Sequence, residues 1–132
     1  MLVSPADVVA KAKATIKECS VTDVKNCRDS STVLIDIREV AEHKRGHIPG
    51  SILVCRGMLE FEINGIAERA CADTSVEPED CDIVLYCGTG GRSALSALSL
   101  DAMGYRNVRS MSGGLVAWAA ANLPLELPGG HT

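Results

Sequence analysis

Aromatic side chains are almost missing from this chain: one Trp, two Tyr and one Phe make up 3% of it. Whatever core it builds must be aliphatic. No apolar run approaches the ~20 residues of a membrane-spanning helix. No basic-then-apolar leader precedes the first helix signal either, so the sequence reads as cytoplasmic, with no membrane partner. Positive charge is not in excess: 13 Lys and Arg against 17 Asp and Glu leave a net charge of -4. That balance argues against a nucleic-acid-binding surface, while a local basic patch around a site stays compatible with it. No Cys-x-x-Cys pair occurs, and His43, His47 and His131 are not spaced as ligands beside cysteines. No metal or other cofactor is therefore expected. Internal repeats and low-complexity segments are missing too. The six cysteines, in a chain without a leader, read as free and mostly buried thiols.

What is present is a regular alternation. At 132 residues the chain is one domain by length. Ser4, Pro5 and Asp7 open a helix with a capping box, and Val8, Val9, Ala12, Ile16 and Cys19 continue its apolar stripe. Ser20-Val21 reads as a minimal edge strand, and Thr22 to Arg28 as a short helix. Thr32 to Ile37 is a β-branched run, apolar on both faces as a central parallel strand should be. Glu39 to Arg45 reads as a charged helix, Ser51 to Cys55 as a strand, and Met58 to Ala72 as a helix broken around Asn64-Gly65. After the acidic loop 73–82 come a strand, a glycine-rich loop and a helix from Arg92 to Met103. Val108 to Met111 is the last strand, and Leu115 to Ala121 the last helix, with Trp118 in its core-facing stripe. The sequence thus predicts an α/β fold, an open and mainly parallel five-stranded sheet with helices on both faces. Residues 1–19 are expected to form a packing helix, 20–127 the domain and 128–132 a flexible tail.

The chain is organised around Ile83 to Ser93. A buried strand ends in Cys87, Gly88-Thr89-Gly90-Gly91 turn tightly, and Arg92 and Ser93 begin a helix. Loop N–H groups and the positive end of the helix dipole converge on one point there, which is how proteins hold anions. The same field stabilises a thiolate and lowers cysteine pKa values to roughly 3.5–7.5. A buried structural cysteine before an ordinary turn is the commoner occurrence in general. Three glycines in four positions, with an arginine where the helix starts, favour a catalytic cysteine. Asp36 and Arg38, Arg56, Cys87 and Gly113-Gly114 all fall at predicted strand ends. In an open parallel sheet those ends gather on one rim, where ligands bind.

Taken together, Asp36-Ile37-Arg38, Gly46 to Gly50, Cys87 to Ser93 and Gly113-Gly114-Leu115 with Trp118 resemble a single-domain rhodanese, in order and spacing, over about residues 20 to 127. The resemblance implies sulfur transfer. Cys87 would attack the outer sulfur of thiosulfate or a related donor and keep it as a persulfide. A thiophilic acceptor, either cyanide or a thiol, would then take the sulfur, and a sulfur-accepting protein is a further partner of that kind. Arg92 is implied to hold the donor and close the loop. Gly88, Thr89, Gly90, Gly91, Ser93 and Arg56 are expected at the substrate, and Asp36 and Arg38 behind it as a supporting pair. His47 is expected to stabilise its turn. Cys55 stands where many relatives have proline, as a second thiol or a buried spectator. The Cys-Gly-Thr-Gly opening also resembles mercaptopyruvate sulfurtransferases, which leaves the donor open.

Two other classes compete. Cell-cycle phosphatases and arsenate reductases of the same fold also use a cysteine and a loop arginine, but with a longer loop; here only Gly88 to Gly91 separate Cys87 from Arg92. A non-enzymatic sulfur-relay or binding module is the third class, and the presence of the cysteine leans against simple binding.

Overall fold

In a computed structural model, which describes residues 1–128, the chain forms a five-stranded, all-parallel sheet. The strands are β1 (Lys17–Cys19), β2 (Val33–Asp36), β3 (Ile52–Leu53), β4 (Ile83–Tyr86) and β5 (Val108–Met111), in the spatial order β1-β5-β4-β2-β3. Six helices connect and cover them: α1 (Pro5–Lys13), α2 (Val21–Cys27), α3 (Val40–Lys44), α4 (Leu59–Cys71), α5 (Gly91–Ala102) and α6 (Gly114–Ala120). From β2 the chain moves outward to β3, then crosses back over β2 to β4. The direction of travel therefore reverses between β2 and β4, and it is at such a reversal that open α/β sheets form a crevice.

Every residue of β2 and β4 is buried, the mark of central parallel strands. Their alternate side chains feed two separate aliphatic layers. Val33, Ile35, Ile83 and Leu85 pack with Leu59, Ile63 and Ala67 of α4 and with Ala97 and Leu100 of α5. Leu34, Val84 and Tyr86 pack on the opposite face with Val24 of α2 and Trp118 of α6. The scarcity of aromatics is met as expected, with Tyr86 and Trp118 the only aromatics in that second layer.

Three local expectations are corrected. The first helix stops at Lys13 and does not carry its stripe to Cys19. A turn through Ala14, Thr15 and Ile16 ends it, with Thr15 Oγ1 donating to the Ala12 carbonyl at 3.1 Å. Lys17–Cys19 instead runs beside β5, where its backbone satisfies an otherwise open sheet edge. Ser20 is consequently not in a strand; its side chain and that of Asp23 form the capping box of α2. Finally, α4 runs unbroken through Asn64 and Gly65. Ile63 and Ala67, one turn apart and fully buried, fasten it to the sheet on both sides of the weak pair. Packing there outweighs the ~1 kcal/mol that a helical glycine costs. The flexible tail expected after Pro128 lies outside the described residues. Among the described residues no helix is long and apolar enough to cross a membrane.

Candidate active site

Cys87 follows β4 directly and is 1% exposed. Its sulfur sits under the first turn of α5, where Gly90 N–H donates to Sγ at 3.1 Å and Ser93 N–H at 3.4 Å. The Ser93 hydroxyl lies 3.6 Å from Sγ. Burial works against ionising this thiol, but hydrogen bonds from Ser93, through side chain and backbone, and from the Gly90 and Thr89 backbones outweigh it. The Cys87 pKa is held below the ordinary thiol value. Cys19 has no such ring; burial pushes it up to about 11. Cys81 is pushed up to about 12, by burial first and then by the neighbouring Cys71 thiol.

The ring of donors points inward because the loop's carbonyls are taken from outside. Leu115 N–H donates to the Cys87 carbonyl at 2.8 Å, and Val116 N–H to the Gly88 carbonyl at 3.0 Å. Both donors belong to the start of α6. This close approach explains Gly114, while a Cβ on Gly113 would stand 2.6 Å from the Ala117 Cβ. A Cβ on Gly114, whose φ is +56°, would stand 2.5 Å from the Cys87 and Gly88 carbonyl oxygens. Gly90 adopts φ +102° and caps α5 in the left-handed conformation that lets the chain turn back over the sulfur.

Arg92 lies over the loop, with Nη2 3.3 Å from where a Gly88 Cβ would be. Its guanidinium is gripped by Glu42 of α3, Nη1 to Oε1 at 2.8 Å and Nη2 to Oε2 at 3.0 Å. The grip raises the arginine pKa further above its usual range. It also leaves N–H groups of the fork free for an incoming anion.

Asp36 and Arg38 pair behind this grip. Asp36 is 0% exposed, and Arg38 donates to it through Nε at 2.9 Å and Nη2 at 2.8 Å. Arg38 also donates to the Gly46 carbonyl at 2.8 Å. Burial opposes the Asp36 charge, yet the Arg38 and His43 hydrogen bonds hold its pKa below the ordinary carboxylate range. His43 Nδ1 lies 2.8 Å from Asp36, so the buried carboxylate anchors α3 and with it Glu42. His47 stacks on His43 at 3.8 Å between ring centroids, and its backbone pairs with Glu126. Tyr86 hydroxyl receives the Ile48 N–H at 3.1 Å, pinning the turn of residues 46–50 to the strand that precedes the cysteine.

Arg56 stands exposed in a short 3-10 turn at the mouth, between two depressions. One, of about 510 Å³, is walled by Val8, Val9 and Leu95 and floored by Thr89, Gly91 and Arg92. The other, of about 500 Å³, is lined by Glu39, Glu60, Phe61 and Ser96 with both arginines. Cys55 is half-buried just ahead of that turn. Thr89, Gly90 and Gly91 are thus at the sulfur or the mouth, while Gly88 lies under the Arg92 guanidinium and bonds to α6. Ser93, expected among the substrate contacts, is fully buried and meets the sulfur from the core side. Sequence reasoning missed Glu42, His43 and Ser110. An acidic residue in a short helix after Asp-x-Arg, and a buried hydroxyl between Arg109 and Met111 in the last strand, are the signals available.

The profile of the Rhodanese-like domain family matches residues 20–121. The chain belongs to the rhodanese-like family. A sulfurtransferase of Allochromatium vinosum is 33% identical over 98 residues, covering 74% of this chain and 81% of that protein. A putative mitochondrial thiosulfate sulfurtransferase of Schizosaccharomyces pombe is 33% identical over 94 residues, 69% of this chain and 66% of its own. Among solved structures, a Rhodopseudomonas palustris protein of unknown function, described as a possible tyrosine phosphatase, superposes with a TM-score of 0.78. It is 33% identical and covers 96% of each chain. In this rhodanese-like chain, the Gly-rich loop and the Gly113-Gly114 turn that supports it both lie inside the matched region. Helix α1 lies before it, packed on the glycine-rich loop with Val9 Cγ2 3.5 Å from a Cβ position on Gly91.

Proposed function

We propose that this rhodanese-like protein is a sulfurtransferase that carries sulfane sulfur as a persulfide on Cys87. The observation that carries the reading is the ring of N–H donors closing on a buried sulfur, from Gly90 and Ser93 at 3.1 and 3.4 Å. The Cys87 thiolate attacks the outer sulfur of thiosulfate; that sulfur's bond to the sulfonate breaks, and sulfite leaves with the electron pair. Cys87 becomes a persulfide anion, whose charge the loop N–H groups and the α5 dipole receive. A nucleophilic acceptor, cyanide or a thiolate, then attacks the terminal sulfur and Cys87 departs as thiolate. Arg92 holds the donor's oxygens through the part of its fork that Glu42 leaves free, and Arg56 draws anions to the mouth. Asp36 and Arg38 act at a distance, by holding α3 and Glu42 in place. Residues 20–127 are the catalytic unit, to which α1 and β1 add a wall and an edge strand. A small-molecule sulfur donor and a thiol, cyanide or sulfur-accepting protein are its partners.

Intact-protein mass spectrometry tests this. Thiosulfate should add one sulfur atom to the wild type and none to Cys87→Ser, and cyanide should remove it as thiocyanate. Retained sulfur loading in Cys87→Ser would overturn the assignment.

A cysteine phosphatase is the second reading, favoured by the similarity to the R. palustris protein. Four residues between Cys87 and Arg92 speak against it, since a phosphoryl group must seat three oxygens in a ring sized for one sulfur. Cys87-dependent hydrolysis of an aryl phosphate would establish it.

A further inference from the structure

Ser93 and Ser110 are both 0% exposed, and their hydroxyl oxygens are 2.7 Å apart. Ser93 lies in the first turn of α5, and Ser110 on β5 is in register with Leu85 of β4. Leu85 and Cys87 are two apart, so Ser110 shares their face of the sheet and sits beneath the same helix turn. Cys87 Sγ, Ser93 Oγ and Ser110 Oγ therefore form one buried chain.

Each hydroxyl has one proton, so this chain has two directions. With Cys87 as thiol, S–H donates to Ser93 and Ser93 to Ser110. With Cys87 as thiolate or persulfide, the order must reverse: Ser110 donates to Ser93, and Ser93 to sulfur. A serine in a helix can otherwise turn its proton to the carbonyl one turn back. We propose that Ser110 is a positioning residue for Cys87, aiming and polarising the Ser93 hydroxyl at the ionised sulfur. This rests on Cys87 being the reacting sulfur, whichever acceptor it serves. Hydrogen bonds in series strengthen one another by about 10–30%, so the effect of Ser110 must pass through Ser93.

The test is the pH dependence of iodoacetamide alkylation at Cys87, followed on its own peptide by mass spectrometry. Arg92 is the charged group that faces Cys87, and it is held by Glu42 of α3; the serine variants leave both in place. Ser110→Ala should move the midpoint upward by about half a pH unit. Ser93→Ala should move it further, and adding Ser110→Ala to Ser93→Ala should then change nothing. Ser110→Cys, which keeps size and a weak donor, should fall between wild type and Ser110→Ala, and it carries the comparison if Ser110→Ala does not fold. An unchanged midpoint in Ser110→Ala, or an equal shift in the Ser93→Ala background, would overturn the proposal. Alkylation reads the thiolate whether or not sulfur is transferred. Thiosulfate loading of the same wild-type sample tests the transfer separately.

Discussion

Glu42 holds Arg92 at two points, 2.8 and 3.0 Å, and so joins a short charged helix to the first turn of the helix that covers the Cys87 sulfur. An arginine left free over a glycine loop would sample many rotamers. Fixing its plane in advance lowers the entropic cost of meeting a donor anion.

Glu42→Gln keeps the size but releases the charge. Thiosulfate turnover should fall by about tenfold to a hundredfold through misplacement of the fork. The Arg92 hydrogen bond is the main cause that brings the Glu42 pKa from 4.5 to about 2. A depressed acid contributes fully above its unfolded pKa and is lost as pH falls through the folded one. The grip should therefore persist through mild acid and fail only toward pH 2. A carboxyl NMR titration of Glu42 checks this, and a midpoint near the ordinary value would refute it.

Arg92 should matter through its shape as well as its charge. Arg92→Ala should reduce kcat/KM for thiosulfate by about 10²–10³-fold, and Arg92→Lys should recover only part, because an ammonium cannot hold two oxygens in a fork. Arg56→Ala, exposed at the mouth, should cost less than Arg92→Ala. Steady-state thiocyanate formation measures all three, and equal activity of Arg92→Lys and wild type would show that charge alone suffices.

Gly114→Ala puts a methyl group 2.5 Å from two carbonyl oxygens at a residue with φ +56°. The backbone conformation alone costs about 1–3 kcal/mol, and the clash must move the loop. Both thermal stability and the Cys87 alkylation rate should fall. A variant that loses stability while its alkylation profile is unchanged would show that the loop does not depend on this contact.

Loop length should separate sulfur from phosphorus. Inserting one glycine between Gly90 and Gly91 should lower thiocyanate formation and admit weak binding of phosphate or arsenate. Paired assays of thiocyanate formation and aryl-phosphate hydrolysis decide the matter. Efficient hydrolysis by the wild type would reverse the assignment of chemistry.

The central strands were legible because β2 and β4 are apolar on both faces, and the site because Cys87, Gly88, Gly90, Gly91 and Arg92 are adjacent in the chain. β1 was not legible. Lys17-Glu18-Cys19 has little strand character of its own and is held by the open edge of β5, a partner about ninety residues away in register with it. Asn64-Gly65 reads as a break because local propensity cannot register the burial of Ile63 and Ala67 on either side. Glu42 and Ser110 meet partners 50 and 17 residues distant, Arg92 and Ser93. No window along the sequence joins them. His43 lies seven residues from Asp36, but their contact depends on how the intervening turn sets α3.

The Cys87 and Gly88 carbonyls are occupied by Leu115 and Val116 N–H groups, and this turns the loop's own N–H groups toward the sulfur. Much of the grip on the sulfur is therefore main chain. Side-chain scanning of residues 88 to 91 can distort that grip but cannot delete a donor. Proline is the one standard residue that removes an N–H, so a single proline at Thr89, which does not share the positive φ of Gly90, strips out one contact that alanine scanning would leave untouched.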